Sequence, residues 1–401
     1  MNINLPSKKS IPLITALAIA GVLSGCQSAG RPERPVAELF AARQSEEGVR
    51  VSDFNVLMNG FLQRAHDKVA AGKTAGGAPP TIDLLVISGG GDWGAFGAGV
   101  LKGWGRVTGD TARPKFDVVT GVSTGAMIAP FAFLGDDDSI ERIVQLYRHP
   151  QAGWIKSRGL VFFLPNNPSF YALPGLEAEM RTKLDRPMLE RVVAESAGGR
   201  SLLVNTTNID LGEMRAWDIV AETRAALAKG DEQHVYSLLL ASAGIPAIFP
   251  ARTIGDYLYV DGAITGNILY AGRVREKDSF FSRWRAAYPK DSLPRVRYWV
   301  IFNNQLRFPP QITKERWPDI MSRATIMATQ TSTVNSMRHL HAQADIVRLK
   351  YGADVQVRVM AVPDSFVPSK PDSFNAEVMN TLADIGEQMG ADPASWRTEA
   401  P

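Results

Sequence analysis

Residues 82–94, IDLLVISGGGDWG, and residues 116–134, FDVVTGVSTGAMIAPFAFL, decide the fold class of this 401-residue chain. The apolar run 82–88 is short and ends in glycines, which reads as a buried strand. A Gly-rich turn follows at once. Residues 94–107 then have the length of a helix, and Gly94, Ala95, Gly97, Ala98 and Gly99 would let that helix lie close to a sheet despite their helix cost. Residues 116–120 read as a second strand and 124–134 as a second helix. Strand, helix, strand, helix implies parallel pairing through right-handed crossovers, an α/β class.

Working outward, further strands are expected at 201–206, 257–260, 296–302 and 355–362, with helices at 235–243, 317–350 and 375–389. Pro318 suits the first turn of the long helix. The polar stretch 272–294 is expected to be a surface insertion, and 73–80 a loop. Before the first strand, Phe54, Leu57, Met58, Phe61, Leu62, Ala65 and Val69 fall at helical spacing behind a possible cap, Ser52. That helix is expected to dock on the body. Residues 27–52 are polar and contain Arg31-Pro32-Glu33-Arg34-Pro35, which favours an extended tether.

The chemistry concentrates in three places. Gly121-Val122-Ser123-Thr124-Gly125 sits between a strand and a helix, where flanking glycines permit the sharp turn that projects a nucleophilic serine. Gly89, Gly90 and Gly91, directly after the first expected strand, offer backbone amides, unobstructed by side chains, to a developing oxyanion. Asp261-Gly262-Ala263 follows the expected strand 257–260, so its carboxylate can emerge at a sheet edge. An aspartate of ordinary pKa is a weak base towards serine, so Asp261 would need burial and close hydrogen bonding. A competing reading takes Gly89, Gly91 and Gly94 as a dinucleotide fingerprint with Asp110 or Asp117 on the ribose, but it leaves the serine turn unexplained.

Taken together and in order, Gly89-Gly90-Gly91-x-x-Gly94, Gly121-x-Ser123-x-Gly125 and Asp261-Gly262-Ala263 resemble the patatin-like phospholipase family. The segment 241–250, ASAGIPAIFP, and Asn267 add to the resemblance, which spans 82–267. It implies a three-layer α/β/α fold with a mainly parallel central sheet. It also implies hydrolysis of acyl esters in membrane lipids or related substrates by a Ser123–Asp261 dyad, with no metal or cofactor. Trp93 departs from the pattern, since the family commonly has Arg or Lys there. A lipid- or partner-binding protein on a disabled hydrolase scaffold therefore stays open as a second reading. A histidine-dependent esterase would need His339 or His341, which fall on different faces of the long helix and are expected to be ordinary surface or packed residues.

The first residues form a separate unit. Lys8 and Lys9 precede an apolar run at 11–23, and Leu23-Ser24-Gly25-Cys26 resembles the lipobox of bacterial lipoproteins. The expected organisation is a leader at 1–25, an acylated Cys26 with tether and helix at 26–80, and the catalytic part at 81–401. Gln27 after the cysteine favours the outer membrane. Loss of the two leader lysines lowers the formal charge from +3 to +1, which lacks the basic excess used for nucleic-acid binding. Asp136, Asp137 and Asp138 stand at an expected helix start, and Trp154, Phe162, Phe163, Leu164, Phe170 and Tyr171 could wall an acyl chain or simply pack in the core.

Overall fold

The computed structural model describes residues 31–401 except 76–79, 152, 160–168, 271–275 and 371–372. The expected lipidation site Cys26, the leader and Phe162, Phe163 and Leu164 lie outside the described residues. In chain order the described strands are β1 Thr81–Ile87, β2 Val118–Val122, β3 Lys156–Ser157, β4 Tyr171–Ala172, β5 Ser201–Asn208, β6 Glu213–Asp218, β7 Arg252–Ile254, β8 Tyr257–Asp261, β9 Arg295–Gln305 and β10 Val355–Val362. The main sheet runs β10-β9-β1-β2-β5-β8-β7, with β6 also paired to β5. Strands β10, β9, β1, β2 and β5 are parallel. Strands β6, β7 and β8 run antiparallel to their neighbours.

Alternation along β1 shows why Leu84, Leu85, Val86 and Ile87 are all apolar. Leu85 and Ile87 enter one buried cluster, Leu84 and Val86 the other, so both faces of the sheet are covered. On the first face pack the helices Gly94–Trp104, Thr124–Leu134, Asp137–Arg148 and Ala376–Gly390, among others. The second face carries the helices Val36–Ala75, Phe280–Ala287 and Trp317–Tyr351. This is the expected three-layer α/β/α arrangement.

The small residues of the Gly94–Trp104 helix have two partners rather than one. A side chain at Gly97 would strike Asn303 and Ile301 of β9, as a sheet contact requires. Gly99 and Gly103 instead let the backbone of the Ala376–Gly390 helix approach, where any Cβ would collide with the carbonyls of Ala383 and Glu387. The acidic run caps the next helix, since Asp136 accepts from the Ser139 backbone N–H at 3.1 Å.

Two expectations about the outer elements are corrected. The stretch read as an extended tether is helical from Val36, and Ser52 sits inside one helix, Val36–Ala75, rather than capping a shorter one. Ala37, Glu38, Leu39, Ala41 and Ala42 are good helix formers, and Pro32 and Pro35 hold only the segment before them extended. That segment is fastened too, because Arg31 donates two 2.7 Å bonds to the Asp210 carboxylate. The supposed surface insertion contains the Phe280–Ala287 helix, capped by Ser279 and buried through Phe281 and Trp284. Scattered charges around it masked two aromatic anchors.

Candidate active site

Register alone brings Ser123 and Asp261 together. Asn205 of β5 is paired with Val122 of β2 on one edge and with Ala216 of β6 on the other. The next residue, Thr206, pairs with Arg215 of β6 and with Asp261 of β8. Strand β8 must therefore occupy the edge that β2 has just left. The two strands approach head to head along β5, and their C-terminal ends meet at neighbouring positions. One end is followed by Ser123 and the other is Asp261.

Ser123 occupies a left-handed conformation, φ 54° and ψ −123°, between β2 and the Thr124–Leu134 helix. Such a backbone costs a non-glycine residue about 1–3 kcal/mol, so its surroundings must enforce it. Three constraints do. A Cβ at Gly125 would hit the Ile87 and Ser88 carbonyls, so the helix start can close down on the end of β1. The Ser123 N–H donates to Ser242 Oγ at 2.9 Å, and Ser242 Oγ donates to the Asn205 carbonyl at 2.6 Å. Thr124 Oγ1 is hydrogen-bonded to the buried Tyr147 hydroxyl, whose pKa burial raises.

Asp261 is 2% exposed. Its side chain accepts from the Ala263 N–H at 2.8 Å. Burial pushes its carboxyl pKa up to about 7, the Ala263 N–H and the neighbouring Ser123 side chain offsetting part of the rise. The backbone N–H of Asp261 donates to the Gly244 carbonyl at 2.9 Å. Asn205 Nδ2 donates to the Gly262 and Gly266 carbonyls at 3.0 and 2.9 Å, which fixes the turn beyond the aspartate.

Residues 85–271 match the family model for patatin-like phospholipase. The chain carries a patatin-like phospholipase domain. The matched span nearly coincides with the interval 82–267 over which its motifs run. Among solved structures, VipD from Legionella pneumophila is similar at 12% identity and a TM-score of 0.39, over 80% of this chain and 68% of that one. No curated protein sequence matches significantly.

The glycine loop of the patatin-like domain divides its work unevenly. Gly89 donates its N–H to Asn267 Oδ1 at 2.9 Å, and Asn267 Nδ2 donates to Thr333 Oγ1 at 3.0 Å. The Gly89 amide is therefore engaged, which corrects its place among the expected oxyanion donors. Gly90 and Gly91 have no acceptor for their amides among the described residues. Gly91 has φ +60°, a conformation that favours glycine. Gly94, next to the loop, leaves room for Thr124, since any Cβ there would collide with its Oγ1.

Trp93 does not point a charge at the site. Its ring meets Phe366 edge-on at 5.4 Å. Asp92 beside it accepts from the Phe374 N–H at 2.7 Å, and burial raises its pKa. Phe366 and Phe374 thus hold the loop from outside. Of the proposed acyl wall, Trp154 is core, while Tyr171 is partly exposed and faces Phe249, with ring centroids 6.5 Å apart. A cavity of about 350 Å³ lined by Phe366, Ile385 and Met389 does not include Ser123 or Asp261.

The rival assignments separate from the site. Asp117 stands at the start of β2, opposite the glycine loop, where Arg64 and Lys68 bond its carboxylate at 2.5 and 2.7 Å. It is a structural ion pair, not a ribose ligand. His339 Nδ1 is hydrogen-bonded to the Tyr270 hydroxyl at 2.8 Å. His341 is buried, and neither histidine bonds Ser123 or Asp261. Among the described residues there is no group of three or more His, Cys, Asp or Glu able to hold a metal. Ser242 and Asn205 are the site residues that motif reading passed over. Ser242 lies in the quoted 241–250 segment, but nothing in the sequence marks it as a ligand of the nucleophile's own N–H.

Proposed function

We propose that this patatin-like domain is a serine acyl-ester hydrolase of the phospholipase A or lysophospholipase type, working through a Ser123–Asp261 dyad. The observation that carries the reading is the strand register that sets a serine held at positive φ, between strand and helix, beside a buried aspartate whose pKa burial raises to about 7. A base poised near the working pH is ionised often enough to accept a proton and basic enough to hold it.

In this reading the Asp261 carboxylate takes the Ser123 hydroxyl proton as Oγ bonds to the ester carbonyl carbon. Negative charge on the carbonyl oxygen is met by the Gly90 and Gly91 amides, at the N-terminal end of the Thr124–Leu134 helix. Collapse breaks the carbon–oxygen bond to the alcohol, which leaves with the proton from Asp261. Water then gives a proton to Asp261 and attacks the acyl-serine. The fatty acid departs and the proton returns to Ser123. Asn267 positions the loop through Gly89, and Ser242 positions the nucleophile's backbone. We also propose a leader at 1–25, acylation at Cys26 and attachment to the outer membrane.

The test is turnover of p-nitrophenyl esters of graded chain length and of phospholipid vesicles, with fluorophosphonate labelling, by the wild type, Ser123→Ala and Asp261→Asn. Wild-type turnover with labelling at Ser123 and loss of at least about 10³-fold in both variants supports the dyad. A wild type that turns over no ester and leaves Ser123 unlabelled contradicts it.

A further inference from the structure

The Trp317–Tyr351 helix is longer than the sheet it covers. Gln330 Nε2 donates to the carbonyl of Gln305, the last residue of β9, at 2.6 Å, and Arg348 Nε donates to the carbonyl of Val355 at the start of β10 at 2.8 Å. The helix therefore runs antiparallel to the strands, and residues 317–329 extend beyond their C-terminal ends by about 20 Å at 1.5 Å per residue. The C-terminal end of the sheet is where Ser123 lies.

One exposed face of this overhang is apolar. At 100° per residue, Trp317, Ile320, Met321, Ala324 and Met327 share one face. On the flank of this face Arg323 donates to the Pro309 carbonyl at 2.7 Å and lies over the Phe308 ring at 3.9 Å, while Ile326 on the far side is also exposed. Trp317 is 76% and Met321 60% exposed, and Ile312 in the preceding loop is 98% exposed. Residues 306–330 hold Arg307, Lys314, Arg316 and Arg323 against Glu315 and Asp319, a cationic excess around the apolar face.

The start of the other long helix lies at the same end. Arg31 is bound to Asp210 just past the end of β5, and Arg34 reaches Asp256 at 3.2 Å just before β8. Both acids lie beyond the Ser123 end of the sheet. Cys26 precedes Arg31 by five residues, which span at most about 18 Å when extended. An acyl anchor there would hold this same end of the molecule against a bilayer. Nearby Phe40 is 60% exposed.

We propose that the apolar face of Trp317, Ile320, Met321 and Met327, with Ile312, inserts at the interface of an anionic bilayer and turns the Ser123 edge of the sheet towards the lipid. A tryptophan among aliphatic side chains, rimmed by Lys and Arg, matches the chemistry of that interface. The inference rests on the hydrolase reading for its purpose, but not for its physical content. It makes a phospholipid aggregate, rather than a dispersed ester, the preferred substrate.

The test uses the lipid-anchored full chain with an environment-sensitive nitrobenzoxadiazole dye on Met321→Cys or, at the other end of the sheet, Lys290→Cys. Vesicles of phosphatidylethanolamine and phosphatidylglycerol should blue-shift and brighten the dye at 321 and leave it unchanged at 290. In parallel, Trp317→Asp with Met321→Asp should lower vesicle hydrolysis by at least about tenfold, with turnover of p-nitrophenyl butyrate unchanged. An unshifted dye at 321, or vesicle hydrolysis indifferent to the two aspartates, overturns docking while leaving the dyad intact. A concentration-dependent dimer in sedimentation that Trp317→Asp abolishes would reassign the face to a second copy. If no ester is cleaved by any protein but the dye still shifts, docking stands and the hydrolase reading falls.

Discussion

Asp261→Asn should make the protein more stable at alkaline pH while removing its activity. The folded carboxyl has a pKa of about 7, against about 3.9 in an unfolded chain. Below pH 4 both states hold the proton. Between about pH 4 and 7 the unfolded chain releases it and the folded protein keeps it, so stability falls as pH rises through this window. The loss is complete above pH 7 and comes to about 4 kcal/mol, at 1.36 kcal/mol per pKa unit over three units. At pH 5 less than half of it has developed. Asparagine keeps the acceptor for the Ala263 N–H and can still bond Ser123, so most of the local geometry survives. Urea or guanidinium unfolding of both proteins at pH 5 and pH 8 isolates the effect, since other titrating groups cancel in the difference. The advantage of Asp261→Asn should be about 3 kcal/mol greater at pH 8 than at pH 5. An advantage equal at the two pH values, within about 0.5 kcal/mol, would refute the claim that burial raises this carboxyl.

Three further substitutions probe the scaffold. Ser123→Gly removes the hydroxyl and relieves the positive φ, so it should abolish serine labelling yet raise unfolding stability by about 1 kcal/mol. Asn267→Ala leaves the buried Gly89 N–H without an acceptor and should cost about 1–3 kcal/mol, with a fall in kcat larger than any change in KM because the glycine loop loses its register. Gly125→Ala places a methyl against the Ile87 and Ser88 carbonyls, and denaturant titration should show a loss of about 3 kcal/mol or more.

The parallel half of the sheet was legible because each of its strands carries a stretch rich in Val, Ile, Leu or aromatic residues. The helix Thr124–Leu134 falls where expected to the residue, since its start is set by the glycine-flanked serine and its end by Gly135 in a left-handed C-cap. Less visible were features that depend on distant partners. The edge strand β7 is three residues long and half-buried, and β6 is largely half-buried, so neither has a strong period of its own. The early part of the Val36–Ala75 helix is polar because it bridges over β6, where Arg215 pairs with Asp53 at 3.1 Å and Arg50 reaches Glu213 at 3.6 Å. Polarity there reads as a tether until the partners are known. Within the site, the motifs named Ser123, Asp261 and the glycines, but not how they meet. The head-to-head approach of β2 and β8 is a property of register on β5, to which no local pattern corresponds. Nor could the residue type at 89 disclose that its amide is taken by Asn267. A glycine loop advertises available donors without saying which are used by the fold.

The central claim is that Asp261 activates Ser123, and the rate of acylation as a function of pH tests it most directly. Inactivation by a fluorophosphonate, followed by mass spectrometry of the peptide bearing Ser123, should rise from pH 5 to pH 9 as a single ionisation with its midpoint at about 7. In Asp261→Asn the rate should be lower by at least about 10³-fold and lose that midpoint. Efficient labelling of Ser123 in Asp261→Asn, or a wild-type profile with no ionisation near 7, would contradict the dyad and require a different base.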